Sequence, residues 1–399
     1  SWPRAISNFI LEQLRYWLTF KFWRWLFSSR FCGYEDQQPW LRRSTLIKLK
    51  CAYIKKAVFH STSLEKNYQE MLAELEGGNK PTWVKKPIMT VEPDEVFSVF
   101  SEMVKGKRAP EPFVSRGYFD SAPAVKKWNK DYFIDRFGDE KQYMMNSTSQ
   151  SLGSLPLRSV EDGFYLSHST NLWSKYPDLV EDLEQKNIDK LASENGLTHT
   201  FNELFFATKK KTGSLLHHAN IHNFFAMISG EKQWTVINPE YTPLLYPLNN
   251  TNGFYAFNAA SYMYGPERTP DFFNISEEEY RQKLPLVKYA PITQFVVRAG
   301  DLLYNPPYWW HCVNNMSTVS IAATMKYTTI KSNSPIGNDH RHMPLYSLYG
   351  SSPMNVIFRA AIIRHGLKMG FDDGDFGGPD VMVHSLYNKR SEEIYFERR

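Results

Sequence analysis

From residue 211 to 239, and again from 293 to 328, aromatic and β-branched residues come in short runs bounded by Gly, Pro and Asn. Such runs suit pleated strands, whose successive side chains take opposite faces and which tight turns join. They predict antiparallel strands over residues 214–218, 223–229, 233–238, 293–298, 301–305, 309–314 and 319–328. Residues 209–213, KKKTG, read as the hairpin turn into the first of these. Elsewhere the spacing changes to that of helices. Residues 63–75 (SLEKNYQEMLAEL) open on Ser63 with a nearby glutamate as a cap and stop at Gly77-Gly78. Further helices are predicted over 93–104, over 122–137 with Val125, Trp128, Tyr132 and Phe133 inward, and over 353–368. Mixed structure between 116 and 205 wraps the strands, and 240–291 is a long insertion of the kind that covers one end of a strand assembly and carries recognition. The pattern predicts a mainly β fold, α+β in class, with helical segments on both sides and no internal repeat.

The first 29 residues stand apart. Six Trp or Phe fall between Trp17 and Phe27, interrupted by Lys21 and Arg24 and preceded by Glu12 and Arg15, too much charge for a transmembrane span. As a helix, Asn8, Glu12, Arg15 and Thr19 share a polar face opposite Ile10, Leu14, Trp17 and Leu18. Rings mixed with long cationic side chains suit a membrane interface. A helix docked on the protein's own body or on a partner subunit is the other reading. The chain does not open on Met, which suits a processed or trimmed product.

Composition narrows the picture only a little. With 42% apolar and 22% charged residues among 399, the chain has ample material for a core, and its net charge of +5 does not argue for nucleic acid. Cys32, Cys51 and Cys312 are too few and too far apart for a disulfide framework or a structural zinc site, which favours a reducing or matrix-like compartment.

The chemistry-bearing residues lie in the strands. On the strand 214–218, His217 shares a face with Leu215 and Ala219, while Leu216, His218 and Asn220 point the other way. An iron site of the 2-His-1-carboxylate kind asks for His-x-carboxylate here, so that imidazole and carboxylate converge on one ion. The chain offers His217-His218-Ala219, with no carboxylate.

Two sets of residues carry a family resemblance. His217, Asn223, Gly230 and Lys232 form the first, and Gly300-Asp301, Pro306-Pro307, Trp309, Trp310 and His311 the second. Upstream, Pro112 to Gly117, then Trp128, Asp131-Tyr132-Phe133 and Phe137-Gly138-Asp139, extend it. In order and spacing they resemble the Jumonji-C (JmjC) branch of the cupin-fold, Fe(II)- and 2-oxoglutarate-dependent hydroxylases, over about residues 112–327. The resemblance implies a double-stranded β-helix, with a domain order of interfacial segment 1–30, helical connecting region 31–110, barrel 111–330 and C-terminal extension 331–399.

It also implies site roles. His217 and His311 are the two imidazole metal ligands; Lys232, Ser214 and Asn223 hold 2-oxoglutarate; and Asp301 is structural. Ala219 stands where the family has its aspartate, so no catalytic residue is assigned. A halide could fill the gap, as in halogenating relatives. A register shifted onto His218 and Asn220, or a third imidazole from His222, are the other routes to a complete site. Two functions follow. In the first, the barrel is non-catalytic and serves as a structural or assembly subunit of a membrane-associated complex, with protein subunits as partners and the membrane surface reached through residues 1–30. The mitochondrial inner membrane is the expected location. In the second, it is an Fe(II)/2-oxoglutarate oxygenase with an altered two-His site.

Overall fold

The alternating stretches close into two sheets in the computed structural model, which describes residues 41–59, 64–78, 87–145, 151–169, 171–210, 212–219, 221–247, 255–257, 282 and 284–329. The segment 1–30 and the helix expected at 353–368 lie outside the described residues.

Fourteen strands are described: β1 Met89–Thr90, β2 Phe113–Ser115, β3 Lys141–Met145, β4 Ser151–Pro156, β5 Tyr165–Ser169, β6 Leu197–Ala207, β7 Gly213–Ala219, β8 His222–Ser229, β9 Glu231–Ile237, β10 Tyr255–Phe257, β11 Thr293–Arg298, β12 Leu302–Asn305, β13 Trp310–Asn315 and β14 Ser320–Thr329. The larger sheet runs β1-β2-β12-β8-β14-β6-β5-β3-β4 and the smaller β10-β7-β13-β9-β11. Every pair is antiparallel except β1 with β2. This is the mainly β double-stranded helix that the strand pattern and the resemblance imply.

Inward side chains of both sheets form one core cluster, including Phe225, Met227 and Leu303 from the larger and Trp234, Val297 and Val313 from the smaller. A second cluster lies on the outer face of the larger sheet, where Phe100 of the helix Val96–Val104 meets Phe224 and Tyr304 edge-on at 5.1 and 5.0 Å. A third lies on the outer face of the smaller sheet, where Leu216, Ile237 and Trp310 pack with Leu46, Met71 and Leu75. The last three come from the helices Arg43–Phe59 and Leu64–Glu76, which pair through Thr45 Oγ1 and the Arg42 amide, both donating to the buried Glu74 carboxylate at 2.7 and 2.5 Å. Burying each such large side chain contributes about 1.5–3 kcal/mol, so the region read as connecting supplies the cover of the smaller sheet.

Two local readings change. Residues 122–137 form two helices, Pro123–Lys127 and Lys130–Phe137, broken where buried Trp128 turns inward to donate to Asp182 Oδ2 at 3.1 Å. Asn129 then caps the second helix, its side chain accepting from the Tyr132 amide at 2.9 Å. Residues 209–213 are not a hairpin turn, because β6 and β7 belong to different sheets and the segment crosses between them. Among the described residues no helix is long and apolar enough to cross a membrane.

Candidate functional site

Neighbouring strands β7 and β13 place His217 opposite His311. The two rings stand 4.3 Å apart at 52°, and both residues are buried. His311 is fixed on two sides: Trp234 stacks on it at 5.3 Å, and its Nδ1 lies 2.9 Å from the Trp309 carbonyl. A carbonyl can only accept, so Nδ1 carries the proton and Nε2 keeps the lone pair, the form that a metal ligand takes. Burial pushes His311 down to about 4; the bond to Trp309 works against this, and the Lys326 ammonium adds to it.

Between His217 and Ser214 the pairing with β13 slips. His311 faces His217 but Val313 faces Ser214, so β7 carries an extra residue. Cross-strand partners share a face, which sets Ser214 on the inward face of Val313 despite its odd spacing from His217. Gly213 makes this possible: a Cβ there would sit 1.8 Å from the Val313 carbonyl oxygen.

The larger sheet presents a polar row to the histidines. Asn305 on β12 pairs with Asn223 on β8, which pairs in turn with Lys326 on β14. The Asn305 side-chain amide lies 3.2 Å from His311 Nδ1, and since that nitrogen carries a proton it is the amide oxygen that belongs on that side. The Oδ1 atom of Asn223 is buried and has no hydrogen-bond partner among the described residues. One row deeper Thr324 pairs with Glu203 of β6, and Lys326 Nζ reaches back to Glu203 Oε2 at 2.5 Å.

Lys232 lies at the other end of the interior. Its register partner on β13 is Asn315, four residues beyond His311, roughly 13 Å along a strand. It is fully buried and donates to Asn315 Oδ1, and burial pushes its pKa down to about 7. So Lys232 neither reaches solvent nor meets a carboxylate; an amide oxygen and a lowered pKa offset the cost of burying it. Trp234 and Phe225, their rings 5.0 Å apart, pack between the two rows.

The other histidines face elsewhere. His218 points to the outer face, with its ring 4.4 Å from Trp310 and burial pushing it down to about 3. His222 bonds through Nδ1 to Tyr304 Oη at 2.9 Å and stands beside Phe100, so neither a register shift onto His218 nor a third imidazole from His222 is built. Asp301 is structural: it accepts from the Arg298 amide at 2.8 Å and pairs with Arg116. Ala219 is held by a strained neighbour, since the amide of Tyr308, at φ 67°, donates to its carbonyl at 2.7 Å.

Among the described residues no third His, Cys, Asp or Glu converges with His217 and His311. Two imidazoles beside an ammonium do not fit Fe(II), and 2-oxoglutarate would have to span the packed Trp234 and Phe225 to reach a lysine already held by Asn315. The polar residues that sequence reasoning missed are Glu203, Asn305 and Lys326. The alternation in 197–207 is the signal that could have found the first.

Residues 144–333 match the family of cupin-like domains. A JmjC domain-containing protein D of Dictyostelium discoideum is 33% identical over 108 residues, 27% of this chain and 21% of that protein. A Jumonji C domain-containing protein 5 of Drosophila melanogaster is 24% identical over 185 residues, 46% of this chain and 42% of the relative. The human bifunctional peptidase and (3S)-lysyl hydroxylase JMJD7 is 24% identical over 242 residues, 51% of this chain and 72% of that protein. The chain thus spans less than half the length of the first two of these relatives.

Proposed function

We propose that this chain is a non-catalytic member of the JmjC branch of the cupin-fold proteins, serving as a structural or assembly subunit of a membrane-associated complex; its residues 144–333 match the family of cupin-like domains, and relatives carry JmjC domains. The observation that carries this reading is the ligand set: His217 and His311 face one another, and Ala219 occupies the place of the family's carboxylate. Two neutral imidazoles hold a divalent ion weakly without a charged third ligand. The aromatic, basic segment 1–30 supplies the membrane or partner contact, and few cysteines with slight basicity favour the mitochondrial inner membrane.

Two observations favour the second reading, an oxygenase with an altered two-His site. His311 is held in the tautomer of a ligand, and a human relative is named a lysyl hydroxylase. Anaerobic titration of the full chain with Fe(II) and 2-oxoglutarate, followed by admission of oxygen, separates the two. We expect no saturable Fe(II) binding and no 2-oxoglutarate consumption. Consumption coupled to oxygen would overturn the non-catalytic reading.

A further inference from the structure

A buried ion pair lies inside the barrel that neither reading uses. The Lys326 and Glu203 side chains are 4% and 0% exposed, Thr324 Oγ1 donates to Glu203 Oε2 at 3.3 Å, and the ammonium lies 5.2 Å from the Phe201 ring centroid. Charges are costly to take out of water even when paired, so an interior pair wants a reason. Register supplies one. Lys326 pairs with Asn223, Asn223 with Asn305, and Asn305 touches His311. Lys326 therefore springs from the row that faces the two histidines, and its ammonium reaches back toward a counter-ion two residues deeper, across from Thr324.

We propose that Lys326 is the resident cation beside the two-histidine pocket: its ammonium, held back by Glu203, bars a divalent ion from binding. This deepens the non-catalytic reading and rests on it. The ammonium is turned to Glu203 and leaves the buried Asn223 amide oxygen without a partner among the described residues, so it acts on the pocket through its charge rather than as a ligand. A divalent cation beside the histidines would meet that like charge before the carboxylate two residues deeper, and a low-dielectric interior makes the repulsion felt. Ala219 is then only half of the change. A carboxylate restored at 219 adds one negative ligand but still meets the ammonium.

The test is Co(II) binding to the full chain, read by calorimetry and by the visible absorption of bound cobalt. The proteins compared are the unmodified chain, Ala219→Asp, and Ala219→Asp with Lys326→Met and Glu203→Gln, a neutral pair that leaves no stranded charge. We expect the triple variant to bind at least about ten-fold tighter than Ala219→Asp, because the positive charge it removes springs from the row facing the histidines and the negative one from two residues deeper. Should the triple variant lack a cooperative melt, Ala219→Asp with Lys326→Gln replaces it, since Glu203 can then take up a proton, and the same gain is expected. Equal affinity of Ala219→Asp and the neutralised variant overturns the role of Lys326 and leaves the non-catalytic reading standing. A folded, neutralised variant that binds no Co(II) overturns it too. Oxygen-coupled consumption of 2-oxoglutarate by the unmodified chain is a different failure, that of the reading beneath.

Discussion

Lys232 shows most directly what the barrel interior does to a charged side chain. Its burial pushes the amine down from 10.5 to about 7, so near neutral pH the folded protein holds the ammonium and the free amine in comparable amounts. Between those two values the unfolded chain binds more protons than the folded one, and stability therefore rises as the pH climbs through that window. A single group gives a slope of up to about 1.4 kcal/mol per pH unit. Below the folded value the penalty is present in full. In Lys232→Met the slope should vanish, with Asn315 Oδ1 still accepting from Ser320 Oγ. Urea midpoints of both proteins near the two ends of the window measure this, and an unchanged slope in the variant would assign the pH dependence to other groups.

Among elements, β7 carries the most information and was the hardest to read. Strict alternation put Ala219 on the face of His217, but it put Ser214 on the opposite face, in conflict with the role that the family resemblance implied. The bulge resolves the conflict, and it was not legible because it depends on the Val313 backbone, far along the chain. The cost of losing it is testable at Gly213. Gly213→Ala would drive its Cβ into the Val313 carbonyl, so β7 must leave β13 or the bulge must move. We expect a loss of about 3 kcal/mol or more, at the upper end of single substitutions, read as a fall in the urea midpoint. A near-neutral result would mean that β7 tolerates a different register. The strands β8, β9 and β11 to β14 were otherwise legible to within a residue or two, whereas β10, inside the stretch read as an insertion, was not. The break at Trp128 was not, since a helix-spaced apolar stripe runs across it and only the Asp182 partner pulls the indole inward. Glu203 and Lys326 were missed for the same reason: each looks like an ordinary strand polar residue until a distant partner faces it.

For the whole molecule, the question is how much of the chain the barrel needs. Among the described residues, these three core clusters draw on positions from Leu41 to Tyr327, and the helices Arg43–Phe59 and Leu64–Glu76 close the outer face of the smaller sheet. On the proposed reading residues 1–29 serve association rather than the barrel, so removing them should leave the melting temperature within a degree or two, as for other changes outside a core. What removal should abolish is association. The full chain is expected to sediment with vesicles containing anionic phospholipid, and to do so less as salt rises, because the Lys and Arg among its rings are screened. The truncated chain should stay in the supernatant. If instead the segment docks on a partner subunit, the full chain will ignore vesicles yet lose its native complex when truncated, and the anchor becomes a protein contact. A truncated chain that still enters that complex would move the assembly surface off this segment and onto the rest of the chain.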